Sequence, residues 1–284
     1  MFYPELTNAN LLIPQWGSPA ISPRVRALMT TRDGGVSAPP FGRWRHGAAE
    51  SGGLNLGLFC GDDPEHVRAN RQRLVALANA RVAWLKQVHG ERVVSAADAL
   101  ASAHDDMSPL EADASVTDQA GVACVVMVAD CLPVLLCDGN GRAVGAAHAG
   151  WRGLAAGIVE KTAQRVATLA DCAMGALYAW LGPSIGPTAF EVGEDVRAAF
   201  VSDASVINAT QRDATAAAFA PHPQAQWKYF ADLPTLARLR LQAAGITRIS
   251  GGDLCTFTQR ERFYSYRRDG AATGRMAAMI WLAP

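Results

Sequence analysis

Three side chains able to hold a soft divalent metal, His89, Cys131 and His148, stand at the ends of apolar, strand-like runs. Two imidazoles and a thiolate leave a fourth position open, the donor pattern of a catalytic zinc site. The same donors suit a blue-copper centre, with Met127 a conceivable axial ligand. Without a metal, Cys131 and His148 could form a thiolate–imidazolium pair for acyl transfer. Asp130 would then point to the opposite face if the strand continues through it. The separations of 42 and 17 residues match no local ligand motif, so each residue taken singly also reads as an ordinary core thiol or histidine. His89-Gly90-Glu91 supplies the H-x-E half of the zinc deaminase signature, but the P-C-x-x-C half is absent.

These residues need rigid supports. The stretch from Val122 to Gly153 reads as three short apolar strands, with Asp138-Gly139-Asn140-Gly141 a hairpin signal. Its turns deliver Cys131 and His148. Arg81 to His89 alternates in a strand period that puts His89 at its end. After His148, Gly150-Trp151-Arg152-Gly153 opens a helical stretch to about Ala170, so Arg152 and free backbone N–H groups form a candidate anion cradle. A surface arginine before an ordinary cap is the plain alternative. Asp63 and Pro64 open a helix to about Ala80, and Pro234 to Ala244 forms another. Residues 38–53, 98–111 and 203–226 read as loops, and Arg262–Arg268 and Met276–Leu282 as strands. The alternation lacks a regular βαβ cadence. One mixed α/β domain over residues 1–284 is expected, with extra strands rather than a doubly wound sheet.

Hydrophobic residues make up 50% of the 284, enough for a large core, and Lys+Arg and Asp+Glu balance at 26 each. Bulk electrostatics therefore offers no case for nucleic acid or an anionic membrane. No signal peptide and no membrane-spanning run is read. Six cysteines without a CxxC pair fit reduced thiols in a cytoplasmic protein. His46, His66, His104 and His222 read as surface residues. No G-x-S-x-G, Walker A, H-E-x-x-H or G-x-G-x-x-G occurs, and nothing in the pattern bears on oligomeric state.

Taken together, the motifs are specific. Thr30-Thr31-Arg32-Asp33-Gly34-Gly35, Leu54-Asn55-Leu56-Gly57, Lys86-Gln87-Val88-His89-Gly90, Ala112-Asp113-Ala114, Ala129-Asp130-Cys131, His148-Ala149-Gly150-Trp151-Arg152-Gly153 and Ser265-Tyr266-Arg267-Arg268-Asp269-Gly270 follow one another in a family's order. The chain resembles the YfiH-type family, long described as polyphenol oxidases or laccase-domain proteins and now associated with purine nucleoside phosphorylase and adenosine deaminase activity. The resemblance implies an α/β fold with a β-sandwich-like core. It implies zinc on His89, Cys131 and His148, with nucleoside and phosphate as small-molecule partners. Arg152 and Arg32 are then the candidate phosphate-binding residues. The alternatives it leaves are a copper-dependent polyphenol oxidase and a metal-free Cys–His amidase. A multicopper laccase needs more histidines than six, four of them peripheral, can supply. The stretch 42–53 is longer than the family's short link before Leu54, which bears on substrate range if that loop lines the cleft.

Overall fold

The computed structural model describes residues 6–7, 10–18, 21–102, 108–202 and 208–284. Two sheets lie face to face. One runs Leu11–Leu12, Val25–Thr30, Met276–Leu282, Val122–Val128, Arg81–Ala83 in spatial order. The other runs Arg248–Gly251, Leu177–Leu181, Leu132–Asp138, Val144–Ala149, Ala114–Thr117, Val93–Ser95. Their facing side chains, among them Cys124, Val126, Leu135, Ala146 and Ile280, are buried in one shared core. The helices Ile158–Leu169 and Leu233–Ala243 cover the outer face of the six-stranded sheet. The helix Pro64–Ala78 packs through Leu74 and Ala78 against the outer face of the other sheet. The fold is mixed α/β with a sandwich of sheets at its centre.

The central strands are buried on both faces, so they read as apolar runs rather than as alternation. Val122–Val128 and Leu132–Asp138 sit in different sheets, and the chain crosses from one to the other at Ala129-Asp130-Cys131. That crossing is where the sulfur donor, Cys131, lies. His148 stands within strand Val144–Ala149 rather than in the turn after it, with its N–H donated to Asp113 O.

Several local expectations are corrected. The strand expected over 81–89 ends at Ala83. Beyond it the Gln87 side chain takes over the edge of the sheet, donating to Met127 O and accepting from Met127 N–H. His89 follows with a left-handed φ of 61°. The loop expected over 98–111 begins inside a helix, Ala96–Ser102, and the stretch 42–53 forms a hairpin of Arg43–Arg45 with Ala48–Glu50. Residues 209–221 hold a helix and a strand where irregular chain was expected. The helix expected to 170 is broken at Gly157 (φ 90°) into Trp151–Ala155 and Ile158–Leu169. The strand expected at Arg262–Arg268 is a turn leading into the short helix Tyr266–Asp269, because the Ser265 hydroxyl accepts the Arg268 N–H as a cap.

All six cysteines are free thiols. No helix among the described residues is long and apolar enough to cross a membrane. His46 is exposed, whereas His66 and His222 are half-buried, His222 stacked 5.1 Å from Phe230; His104 lies outside the described residues.

Candidate metal centre and its cavity

The sheet crossing, the left-handed turn at His89 and the end of strand Val144–Ala149 bring three donors together. The ligand atoms of His89, Cys131 and His148 all lie within 4.8 Å of one another. The two imidazoles meet edge to face with centroids 4.8 Å apart. Glycine is required beside them. A Cβ on Gly150 would come 2.9 Å from His89 Cδ2 and 3.0 Å from Cys131 Sγ, and one on Gly153 would come 2.6 Å from Gly90 O. His148 is buried, Cys131 half-buried and His89 open to the cavity. Among the described residues no other group of three such donors forms. The set is soft, nitrogen- and sulfur-based, and open on one side, which fits a catalytic metal site.

One carboxylate organises this centre. Asp113, fully buried, accepts from His148 Nδ1 at 2.8 Å and from the His89 N–H at 2.9 Å through Oδ1. Its Oδ2 accepts from the Val88 and Gly90 N–H groups at 3.2 and 2.7 Å. Since a carboxylate only accepts, His148 carries its proton on Nδ1 and turns Nε2 toward Cys131. Burial opposes the charge on Asp113, but these hydrogen bonds, the one from His148 foremost, outweigh it and hold the carboxyl below its ordinary pKa. Nothing in the Ala112-Asp113-Ala114 motif alone marked this role; the signal was an acid between alanines entering a buried strand.

Burial alone would raise the Cys131 thiol. The His148 charge and hydrogen bonds from both imidazoles overcome it and bring the thiol below its usual value. Burial would likewise lower His148, but the Cys131 charge and the bond to Asp113 raise it. Both shifts run toward a thiolate–imidazolium pair in the metal-free protein, whereas a metal takes thiolate and neutral imidazole. Metal binding near pH ~7.5 is expected to release about one proton per chain. The release should rise as pH falls through the thiol's value and fall away above that of His148. Calorimetry in buffers of different ionisation enthalpy measures it. Zero release at neutral pH would show that the pair is not charged in this way.

The centre opens into a cavity of about 1090 Å³. Its walls are largely apolar and aromatic, including Leu85, Trp151, Ile185, Phe190 and Leu233, and its cations are Lys86, Arg152, Arg267 and Arg275. Arg152 stacks on Trp151 with 4.4 Å to the ring, and among the described residues its guanidinium makes no hydrogen bond or ion pair to protein. Arg267 Nη1 donates to Glu191 O, and Arg275 Nη1 to Thr273 O and Gly274 O. Sequence reasoning had singled out neither arginine. Arg32, the other phosphate candidate, is a correction. It is 3% exposed, donates to Gly42 O and Arg260 O, stacks on Tyr264 and does not line the cavity. Glu91, the acid of the H-x-E half-motif, pairs with Lys161 at 2.6 Å and does not line it either. Nor does the hairpin in 42–53, so the longer link does not bear on the cleft. Met127, the conceivable axial ligand, lines the cavity, with its Sδ 3.8 Å from Arg71 Nη2.

A two-sheet α/β scaffold with a His–Cys–His cluster at the sheet crossing is the class of protein defined here. The chain belongs to the family described as multi-copper polyphenol oxidoreductase laccase, whose model matches residues 26–283, the YfiH-type proteins. It is 47% identical over 277 residues to purine nucleoside phosphorylase YfiH of Escherichia coli, covering 96% of this chain and 99% of that one. A purine nucleoside phosphorylase of Pseudomonas aeruginosa is 47% identical over 271 residues, covering 95% and 98%. A Neisseria meningitidis crystal structure of the DUF152 family superposes with a TM-score of 0.81 at 44% identity, covering 97% of this chain and all of that one. The structure of YlmD from Geobacillus stearothermophilus gives 0.78 at 31% identity, with 94% and 95% covered.

Proposed function

We propose that this protein is a purine nucleoside phosphorylase whose metal is zinc, held by His89, Cys131 and His148. The observation that carries the reading is the single cavity in which this donor cluster, the unengaged Arg152 and apolar walls converge. The phosphorylases named among its relatives support the reaction class. A bound zinc would supply Lewis-acid activation of an oxygen in the cleft. The remaining work falls to the chain. Trp151, Ile185 and Phe190 exclude water from the anomeric carbon, so phosphate rather than water attacks it. In the reaction the bond from C1′ to the base nitrogen breaks, a bond from C1′ to a phosphate oxygen forms, and the base leaves with a proton. Asp113 holds His148 in one tautomer throughout. The chain's free thiols favour a reducing, cytoplasmic setting.

Phosphate is held by Arg152, which has all its N–H donors to offer. Losing a charge-assisted contact costs roughly 1.5–3 kcal/mol. Arg152→Ala is therefore expected to raise the phosphate KM about ten- to a hundredfold while metal content stays unchanged. Steady-state rates at varied phosphate test it, and an unchanged phosphate KM would move the anion to Arg267 or Arg275.

Deamination of adenosine is the weaker extension. Asp130 is the sole carboxylate lining the cavity among the described residues, and it is committed to Thr256, Ser265 and Arg267. One observation favours a second reading. Without metal, Cys131, His148 and Asp113 form a nucleophile, base and orienting acid, the arrangement of a Cys–His amidase. Metal analysis separates the two, since a metal on Sγ would silence the nucleophile.

A further inference from the structure

Seven large apolar or aromatic side chains stand exposed among the described residues, and two of them, Phe59 (63%) and Tyr266 (54%), line the metal cavity. Phe59 sits on a loop and Tyr266 opens the short helix Tyr266–Asp269, and both segments are tied down by buried polar side chains. Under Phe59 lies Asn55, fully buried. Its Oδ1 accepts from the Gly57 N–H at 3.0 Å and the Arg275 N–H at 2.8 Å, and its amide donates to Asp62 Oδ2 at 2.9 Å. Under Tyr266 lies Asp130, the residue before Cys131, held at a left-handed φ of 95°. Its carboxylate accepts from Thr256 Oγ1 at 2.6 Å, from Ser265 Oγ at 3.0 Å and from the Arg267 N–H at 2.6 Å. A loop with a mobile tip does not carry such anchors. Here each anchor fixes an aromatic ring that covers no core, and one of them also sets the backbone beside a metal donor. An exposed ring held rigidly in a cavity offers contact area at little ordering cost, and a flat π-surface is its natural complement.

We propose that Phe59 and Tyr266 are the base-stacking residues of the cavity, and that Asp130 is the positioning residue that registers Tyr266 to Cys131. The inference deepens the phosphorylase reading and rests on it for the identity of the flat ligand, a purine. Stacking on either face is sequence-blind in the sense that every base has a π-face, so the platform selects for planarity and size rather than for one exocyclic group.

The test is equilibrium binding of inosine and of adenosine to metal-loaded protein by calorimetry, beside steady-state kinetics. Phe59→Ala and Tyr266→Ala are each expected to weaken nucleoside binding about tenfold, with metal content and phosphate KM unchanged. Tyr266→Phe, which keeps the ring, is expected to bind as the wild type does. Thr256→Val, which removes one donor to Asp130 and leaves the left-handed backbone and the Ser265 cap in place, is expected to weaken nucleoside binding in the same direction. It should add nothing further in a Tyr266→Ala background. Wild-type nucleoside affinity in both ring variants would overturn the platform while leaving phosphorolysis intact. Nucleoside binding that depends on the rings, without phosphate-dependent turnover, would uphold the platform and sink the reaction. Wild-type protein that binds no purine nucleoside would overturn both.

Discussion

Cys131→Ala and His148→Ala are each expected to purify with little or no metal and without phosphorolytic activity. Full donor sets for structural zinc are worth about 10–16 kcal/mol. Such a set has four donors, so one of them carries roughly 2.5–4 kcal/mol, a fall in affinity of about a hundred- to a thousandfold. Both residues should be equivalent in this respect and different in another. Cys131 is half-buried at the sheet crossing, so its loss leaves the fold in place. His148 is buried and bonded to Asp113, so His148→Ala also strands a carboxylate and should lower the melting temperature. Metal content by mass spectrometry, with circular dichroism beside it, reads both effects. Full metal occupancy in folded Cys131→Ala protein would remove the sulfur from the centre.

The second large effect is expected at a residue that touches neither metal nor substrate. Asp113→Asn keeps the shape and loses half of the acceptors. Oδ1 serves His89 N–H and His148 Nδ1, and Oδ2 serves Val88 and Gly90 N–H. Whichever way the amide turns, its NH2 faces two donors. Removing an orienting carboxylate from a ligand histidine typically costs ten- to a hundredfold in metal affinity. Disrupting a buried charged network costs about 3–5 kcal/mol of stability besides. Metal loss should therefore exceed any loss of fold at low denaturant, and added zinc should restore part of the stability by mass action. An Asp113→Asn protein with wild-type metal affinity would mean that the backbone alone holds His89 and His148 in place. The acid sensitivity has a definite sign. Because the folded pKa of Asp113 is lowered, its contribution is present above the ordinary carboxylate range and is lost as pH falls through the folded value.

The three donors could be picked from the sequence because strand ends are readable and because metal-binding residue types are few. The reasons were partly wrong. His89 was expected to close a strand that in fact ends at Ala83, and a glutamine side chain continues the sheet edge to the turn that holds it. Side-chain mimicry of a strand leaves no periodic trace. Arg32 illustrates the opposite error. Arginine beside a Gly-Gly pair suggests an anion site, yet here it is a buried brace between Gly42, Arg260 and Tyr264. Asp113 and Asp130 were within quoted motifs without roles, since what gives each its role is contact over 35 residues in one case and over 126 to 137 in the other. The sandwich of sheets was legible only through family resemblance. Strands buried on both faces lose the alternation that would have told which face looks inward.

The most direct test of the account is phosphate-dependent release of free purine from inosine, measured by chromatography with ribose 1-phosphate quantified in the same reaction. Protein purified without added metal is compared before chelation, after chelation and after restoration with zinc. The account expects one purine per ribose 1-phosphate formed, activity lost on chelation, and activity recovered with about one zinc per chain. Chelated protein that turns over inosine at the full rate would contradict a metal-centred phosphorylase. So would metal-replete protein that releases no purine in the presence of phosphate.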